Sequence, residues 1–159
     1  MSLDEYNKKR NFDITPEPSS GKSLGKDQAI FVVQKHDASH LHYDFRLEVD
    51  GVLKSWAVPK GPSMDHKDKR LAVMVEDHPL GYASFEGVIP KGQYGGGTVE
   101  IWDSGTWEPL SEFSDIQKAL DEGVIEFILH GKKLTGNFSL IKMKKSTTKN
   151  GWLLIKGKN

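Results

Sequence analysis

Three side chains that can bind ions, His42, Asp44 and Arg46, occupy alternate positions in the segment 41–49. The residues between them are apolar or aromatic, which predicts a half-buried β-strand with the ion-binding groups on one face. Residues two apart on a strand are about 6.5–7 Å apart at the backbone, so His42 and Asp44 can converge on one metal ion. Arg46 could then hold an anionic substrate against that ion through bidentate hydrogen bonds. The simpler interpretation is a polar face that meets water.

The neighbouring segments must position this strand. Asp50-Gly51 is a strong signal for a two-residue hairpin turn, and residues 52–58 return as the partner strand. Upstream, residues 30–35 form the first predicted strand, and residues 36–39 bend the chain into the ion-binding strand. His36 therefore lies near the start of that strand, close enough to act as a third metal ligand.

The rest of the chain contains many short predicted strands and frequent turns. Residues 70–76 form a strand and residues 77–82 a turn, while the glycine-rich segment 85–97 matches neither the P-loop nor the dinucleotide fingerprint and is best explained as a loop. The remaining predicted elements are a hairpin of residues 98–102 and 105–107, strands over residues 124–129, 133–143 and 152–155, and a helix from Ser114 to a stop at Gly123. The sequence thus predicts a mainly β fold, a small antiparallel β-barrel with one or two short helices.

The chain has 159 residues, enough for one domain with a buried core. Residues 1–26 are polar and contain prolines and glycines, which predicts an extended, partly disordered N-terminal arm that Tyr6 and Phe12 could pin to the body. Residues 27–159 would then form the barrel domain. Because no run of about 18 apolar residues and no signal segment occurs, we expect no membrane association and a cytoplasmic location.

Composition excludes some kinds of chemistry. The chain has no cysteine, which excludes disulfides, zinc–thiolate sites and thiol catalysis. Its formal net charge is zero, so the molecule as a whole is not a basic nucleic-acid binder. After His130, however, the sequence contains many lysines and no acidic residue. This basic stretch is either a local patch for a polyanion or a solvated lysine-rich tail.

Several longer motifs resemble the phosphoesterase domain of bacterial ligase D. The resemblance is carried by His36-Asp37-Ala38 with residues 41–47, by residues 53–62, and by residues 75–80. It continues through residues 85–87, 89–92, 94–95, 102–107, 134–136 and 152–156, and it includes residues 9–12 and 15–18 of the arm. The resemblance covers nearly the whole chain, and its longest motifs are specific.

This resemblance implies a metal-dependent DNA repair enzyme that acts on DNA 3′ ends at double-strand breaks. Such an enzyme removes a terminal 3′ ribonucleoside and then hydrolyses the remaining 3′-phosphate to a 3′-OH. The implied fold is a small β-barrel with its site in a polar crater, and the implied ion is Mn²⁺, with other divalent ions open. The resemblance also assigns site residues: metal ligands His36, His42 and Asp44, catalytic phosphate-contacting residues Arg46, His78 and Tyr82, and substrate-binding residues Lys60, Arg70, Glu76, Arg10 and Glu17.

Two positions depart from the family's pattern. His40 stands where the family often has a basic residue such as Arg, and it could contact the metal or DNA. Asn11 stands where an acidic residue is common, so removal of the ribonucleoside could be weaker here than removal of the phosphate. The sequence also lacks the polymerase and ligase regions of the large enzyme. We therefore expect a stand-alone form that meets a DNA ligase and end-joining proteins in trans.

Two other functions fit parts of the pattern. A noncatalytic barrel that binds DNA ends would keep its affinity for DNA without His42 and Asp44. A two-histidine, one-carboxylate iron oxygenase could use these two residues with His78 as ligands. Against the oxygenase, His36 offers a ligand upstream, and the nearby cationic residues Arg46, Lys60 and Arg70 suit phosphate better than a single oxoacid.

Overall fold

The computed structural model describes residues 3–10, 12, 17, 29–110, 116–144 and 149–158. Within these residues the chain forms two α-helices, one 3₁₀ helix and nine β-strands. The helices are α1 (Leu3–Lys8), the 3₁₀ helix (Leu80–Ser84) and α2 (Ile116–Glu122). The strands are β1 (Ile30–Asp37), β2 (Leu41–Val49), β3 (Val52–Val58), β4 (Lys69–Pro79), β5 (Gly87–Ile89), β6 (Gly97–Pro109), β7 (Val124–His130), β8 (Thr135–Lys142) and β9 (Gly151–Lys156).

Eight of the strands close into an antiparallel barrel in the order β1-β2-β3-β4-β9-β8-β7-β6. The barrel closes because β1 pairs with β6, from Ile30 opposite Thr106 to Asp37 opposite Thr98. The long strand β6 also pairs with β5 near its start and with β7 near its end. This architecture confirms the predicted mainly β fold, an antiparallel barrel with short helices.

Apolar side chains from every barrel strand fill the interior of the barrel. On β2 the interior residues are Phe45, Leu47 and Val49, the apolar set of the alternating pattern. A second apolar cluster lies on the opposite face of the strands and joins the barrel wall to α1, the 3₁₀ helix and β5. Its buried members are Tyr6, Leu53, Leu80, Tyr82, Phe85, Ile89 and Val99.

Two local sequence signals act as predicted. Asp50 and Gly51 both have positive φ, 50° and 85°, as a tight turn between β2 and β3 requires. Gly123 has φ 84° and donates its N–H to the carbonyls of Ala119 and Leu120, which ends α2. The predicted cap at Ser114 lies outside the described residues.

The predicted hairpin over residues 98–107 is wrong, because these residues belong to the single strand β6. Asp103 and Ser104, the expected turn, pair with Val33 and Val32 of β1. The register shifts at this point, which leaves Trp102 as an extra residue in β6. Long-range pairing with β1 therefore keeps these residues extended. The turn predicted at residue 77 is also wrong in part, since β4 continues to Pro79 before the 3₁₀ helix begins.

Part of the N-terminal arm is described, and it contains the helix α1 where an extended chain was expected. Tyr6 of this helix is fully buried in the second apolar cluster, whereas Phe12 is 36% exposed. The predicted boundary at residue 26 lies outside the described residues, so the division into arm and barrel domain stays a prediction. None of the described helices has the length and apolarity needed to cross a membrane.

Candidate active site

A cavity of about 320 Å³ opens on the outer wall of the barrel, beneath the N-terminal arm. Its floor is formed by β1 and β2, where the register places His36 opposite His42 and Gln34 opposite Asp44. These residues alternate with those of the barrel interior, so the polar face of β2 lies outside the core. The arm, the 3₁₀ helix and the loop after β5 contribute the walls, through residues that include Arg10, Glu17, Tyr82, Tyr94 and Gly95.

His36, His42 and Asp44 form a cluster that could hold a metal ion. One ligand atom from each residue lies within 4.8 Å of the others. The Nδ1 atom of His36 is 3.5 Å from Asp44 Oδ2, and the Nε2 atom of His42 is 3.3 Å from Asp44 Oδ1. Two imidazole nitrogens and a carboxylate suit a borderline divalent ion and leave coordination positions open for other ligands.

Backbone carbonyls hold both imidazole rings in the orientation that this site needs. His36 donates from Nε2 to the carbonyl of Gly95 at 2.7 Å, and His42 donates from Nδ1 to the carbonyl of His40 at 3.0 Å. Because each ring donates one N–H to a carbonyl, its other nitrogen is the one directed at Asp44, and this nitrogen can bind a metal ion when it is deprotonated. His40 thus contributes its backbone carbonyl to the site, while its side chain is exposed.

The charges around Asp44 favour its ionised form. Burial alone would raise the pKa of Asp44, but the Arg46 guanidinium and hydrogen bonds from His36 and His42 hold it well below its usual range. The hydrogen bond to Asp44 in turn raises the pKa of His42. The cluster therefore attracts a cation, and a bound cation would compete with the proton that His42 shares with the carboxylate.

Arg46 lies beside the metal cluster and is almost fully buried, at 2% exposure. Its Nε donates to Gln34 Oε1 at 2.7 Å, and its Nη2 is 3.4 Å from Asp44 Oδ2. The guanidinium carbon lies 4.8 Å from the centre of the Tyr82 ring. Among the described residues, its Nη1 is buried without a hydrogen-bond partner. An anion bound in the cavity would supply the acceptor that Nη1 lacks.

Tyr82 links the 3₁₀ helix to the arm. Its hydroxyl donates to Glu17 Oε2 at 2.7 Å, and Arg10 donates from Nε to the same oxygen at 3.0 Å. Burial and the nearby Glu17 carboxylate raise the pKa of Tyr82, so the phenol remains a hydrogen-bond donor. The carboxylate of Glu17 therefore occupies an anion position beside two donors.

Glu76 and His78 complete the side of the cavity next to the arm. Glu76 contacts Arg10 Nη1 at 3.5 Å and Lys9 Nζ at 3.2 Å. His78 donates from Nδ1 to the carbonyl of Glu76 at 3.0 Å and accepts from Arg10 Nη2 at 3.3 Å through Nε2. Burial and the guanidinium groups of Arg46 and Arg10 lower the pKa of His78 well below its usual value. His78 is therefore a neutral imidazole whose free lone pair faces Arg10.

The cavity thus brings together most of the residues expected from the sequence, but not all of them. Lys60 is exposed in the turn after β3, and Arg70 lies on β4 near Asp68, 3.5 Å away; neither lines the cavity. Asn11 lies outside the described residues. The basic stretch is carried partly by β8 and β9, and β8 lies on the opposite side of the barrel from β2. Lys133 of this stretch packs over Trp102, 4.5 Å from the ring centre.

Several residues that shape the cavity were not singled out from the sequence. Gln34 lies two residues before His36 on the same face of β1, so strand alternation could have identified it. Lys9 and Tyr94 meet only through folding, with Lys9 Nζ 4.6 Å from the Tyr94 ring centre. Gly95 acts through its backbone carbonyl, for which no local sequence signal exists.

Comparison with known proteins shows which family this sequence resembles. The family described as DNA Ligase D 3′-phosphoesterase domain matches residues 34–142. A Pseudomonas aeruginosa relative named multifunctional non-homologous end joining protein LigD is 53% identical over 159 residues, which are 99% of this chain and 19% of that protein. The Mycobacterium tuberculosis multifunctional non-homologous end joining DNA repair protein LigD is 44% identical over 158 residues, 99% of this chain and 20% of that protein. The chain spans about one fifth of the length of these relatives. Taken together with the family match over more than half of its length, this identity means that the chain belongs to the DNA ligase D 3′-phosphoesterase domain family.

Proposed function

We propose that this chain is a metal-dependent phosphoesterase that heals DNA 3′ ends for non-homologous end joining. It would remove a 3′-terminal ribonucleoside and then hydrolyse the 3′-phosphate to leave a 3′-OH. The observation that carries the proposal is the position of Arg46: its unpartnered Nη1 is buried beside a histidine–histidine–aspartate cluster in one cavity. Cation ligands and an anion donor side by side are what hydrolysis of a phosphate ester needs.

The donor set fits a divalent ion, and we propose Mn²⁺ as that ion. His36, His42 and Asp44 would hold it, since each offers one ligand atom and these atoms lie within 4.8 Å of one another. When bound, such an ion supplies Lewis-acid stabilisation of phosphate oxygens and activates water. The protein keeps the ligand set charged and oriented through Arg46 and the carbonyls of Gly95 and His40.

Arg46 is the residue that we propose to hold the phosphate. Asp44 and Gln34 fix two of its three nitrogens, so the guanidinium cannot rotate freely and Nη1 is left for the substrate. Tyr82 lies against the same guanidinium and would donate its phenolic proton to a second phosphate oxygen. To do so the Tyr82 hydroxyl must break its hydrogen bond to Glu17, which is its acceptor here.

For His78, the contacts favour a role that depends on bound substrate. The neutral ring carries its proton on Nδ1, which Glu76 holds through its carbonyl, so Nε2 has no proton to donate. A phosphate dianion beside Arg46 would offset the two guanidinium charges and raise the pKa of His78. Its Nε2 would then gain a proton for a phosphate oxygen or for the leaving sugar oxygen, and both assignments stay open.

We propose that the ligand is the 3′ end of a primer–template or broken duplex, and that a DNA ligase and other end-joining proteins act on the product in trans. Outside the cavity, Lys60 and Arg70 would contact the DNA beside its end, with an affinity that falls as salt concentration rises. A cytoplasmic location remains a prediction from the sequence. The iron oxygenase is less well supported, because His78 lies outside the described ligand cluster and pairs with Arg10.

The test uses duplex primer–templates whose primer ends in a 3′-phosphate or in one 3′-terminal ribonucleotide. Each is incubated with the protein and Mn²⁺, with and without a chelator, and the products are resolved by length and end group. We expect conversion of the 3′-phosphate to a 3′-OH, and its loss with chelator or in the Asp44→Asn variant. Lys118→Gln, a change on α2 away from the cavity, serves as the matched control variant.

Other outcomes would change the proposal in different ways. DNA binding without product from either substrate would favour the noncatalytic end-binding barrel. Phosphate release that needs neither metal nor Asp44 would overturn the metal-dependent mechanism. Activity on the 3′-phosphate but not on the ribonucleotide end would restrict the function to phosphate removal and direct attention to Asn11 and the arm.

A further inference from the structure

We propose that Gln34 is a positioning residue that fixes the Arg46 guanidinium and the 3₁₀ helix of Tyr82 in one arrangement, so that both meet the same phosphate. The inference rests on the proposed phosphoesterase function. Gln34 is fully buried, at 0% exposure, on the cavity face of β1. It lies opposite Asp44 across the β1–β2 pair, and it does not line the cavity itself.

All the hydrogen-bonding groups of the Gln34 side chain are used in this link. Its Oε1 accepts from Arg46 Nε at 2.7 Å. Its Nε2 donates to the carbonyl of Tyr82 at 2.7 Å and to the carbonyl of Phe85 at 3.0 Å. The amide orientation is unambiguous, because a guanidinium only donates and backbone carbonyls only accept.

The bond from Gln34 determines which face of Arg46 is left for an anion. With Nε held by Gln34 and Nη2 by Asp44, Nη1 is the nitrogen without a partner. Without Gln34, Nε would also be a buried donor lacking an acceptor, and the guanidinium could turn to share Asp44 differently. The result would be a loss of geometry for the phosphate and not a loss of positive charge.

The same amide also sets the position of Tyr82. The 3₁₀ helix has no side-chain hydrogen bond at its N-terminal cap, and the carbonyls of Tyr82 and Phe85 lie at its end. Gln34 ties these two carbonyls to β1, and the Tyr82 ring consequently lies 4.8 Å from the guanidinium carbon of Arg46. One neutral side chain therefore couples the cationic and the phenolic donor of the proposed phosphate site.

Two substitutions separate the halves of this link. Gln34→Glu keeps an oxygen that can accept from Arg46. It replaces the amide nitrogen with a second oxygen, which cannot donate to the carbonyls of Tyr82 and Phe85. Gln34→Met keeps the length of the side chain and removes both the hydrogen bond to Arg46 and those to the two carbonyls. Gln117→Met on α2, away from the cavity, is the matched control.

The experiment measures inhibition of 3′-phosphate hydrolysis by inorganic phosphate, together with kcat, KM, Mn²⁺ affinity and the thermal midpoint. Loss of one hydrogen bond to a charged group corresponds to about 10- to 100-fold in affinity. We therefore expect the phosphate inhibition constant and KM to rise about 10- to 100-fold in Gln34→Met and by less in Gln34→Glu, which keeps the bond to Arg46, with Mn²⁺ affinity within about twofold of wild type in both. A purely structural role would lower the thermal midpoint and the active fraction while leaving both constants of the folded enzyme unchanged.

Unchanged phosphate inhibition in folded Gln34→Met would overturn the inference while the wild-type activity still supports the proposed function. If Gln34→Met does not fold, Gln34→Glu, which preserves the contact to Arg46, decides the question by the same two constants. Equal losses of phosphate and Mn²⁺ affinity would also overturn it, since they would mean a general collapse of the site. Wild-type protein that neither hydrolyses the 3′-phosphate nor is inhibited by phosphate would refute the proposed function and this inference together.

Discussion

Asp44 and Phe45 are neighbours in β2, yet one faces the ion cluster and the other faces the barrel interior. Phe45 packs against Phe31, Trp56 and Phe127, with ring centres 6.0 to 6.3 Å apart. Asp44 contacts the charged and polar groups of His36, His42 and Arg46. The interior is stabilised by apolar burial, whereas the outer face concentrates charges that water would otherwise solvate.

The two faces also differ in where their partners come from. The interior is built from the barrel strands and from α2. The outer face needs α1, residues 10 and 17 of the arm, the 3₁₀ helix and the loop after β5. Residues from alternating strands are therefore largely enough to build the barrel interior. The site also needs segments that cover the outer face and form no barrel strand. Stability and activity should respond separately to changes on the two faces.

The strongest test compares Asp44→Asn with Phe45→Ala. Asp44→Asn removes the negative charge that the ion needs, so we expect turnover of the folded protein to fall by about 1000-fold or more, together with a loss of stability because Arg46 loses its ion-pair partner. Phe45→Ala leaves a cavity in the interior and should lower the free energy of unfolding by about 3–5 kcal/mol. Urea unfolding, Mn²⁺ binding and turnover of the folded fraction measure both effects. A loss of turnover in folded Phe45→Ala as large as that in Asp44→Asn would mean that the faces are not separable.

The next test uses two tyrosines. Tyr82→Phe removes the hydroxyl that Glu17 now holds, and we expect about 2–4 kcal/mol less transition-state stabilisation. Tyr43→Phe is the control, because Tyr43 packs edge-to-face with Trp102, at 5.7 Å, beside the barrel interior. Steady-state kinetics should show a lower kcat for the first variant only. Equal kcat values for the two variants would exclude a catalytic role for the Tyr82 hydroxyl.

A smaller effect concerns pH. Since the pKa of His78 is lower in the folded protein than its ordinary value of 6.5, the unfolded chain binds this proton more readily below that pH. The free energy of unfolding should therefore fall as pH drops below about 6.5. Between pH 7.5 and 5.5, without metal, we expect wild type to lose about 1 kcal/mol more than His78→Asn. His36 and His42 are present in both proteins, so the difference isolates His78. Parallel pH profiles would show that His78 protonates as easily in the folded state as in the unfolded chain.

The smallest expected effect comes from the loop after β5. Gly95 has φ 73°, and a Cβ there would lie 3.4 Å from His36 Cε1. We expect Gly95→Ala to weaken Mn²⁺ binding several-fold, because about 1 kcal/mol of backbone strain would disturb the carbonyl that orients His36. Gly92→Ala has a similar positive φ, 95°, but no atom within 4 Å of its Cβ. If both variants bind Mn²⁺ equally, the Gly95 carbonyl does not control the ligand.

The sequence predicted the features of the barrel that local patterns encode. Alternation in β2 separated Phe45 from Asp44, and Asp50-Gly51 marked the turn into β3. The hairpin expected at Asp103-Ser104 failed because turn-forming residues were outweighed by pairing with β1 more than 65 positions earlier. Asp103 does not form a turn; its carboxylate accepts hydrogen bonds from the backbone N–H groups of Lys132, Lys133 and Leu134.

In the site, local spacing identified His42 and Asp44, and placed His36 near them. It could not identify contacts between distant segments, such as Tyr6 packing on His78 or Arg10 Nη2 lying 3.3 Å from His78 Nε2. The residue-by-residue resemblance to a family supplied Arg10 and Glu17, and it assigned phosphate contacts to His78 and Tyr82. It offered no reason for Gln34, whose importance depends on two backbone carbonyls that a sequence does not display.

The short sequence distance between His36, His42 and Asp44 has a consequence for folding kinetics. All three belong to the β1–β2 hairpin, whereas the barrel closes only when β1 meets β6. Local hairpins form faster than long-range pairings, so a divalent ion can engage its ligands before the barrel is complete. Phosphate, which needs the 3₁₀ helix and the arm as well, can engage only the finished molecule. We therefore expect Mn²⁺ to accelerate refolding, and phosphate to act only by slowing unfolding.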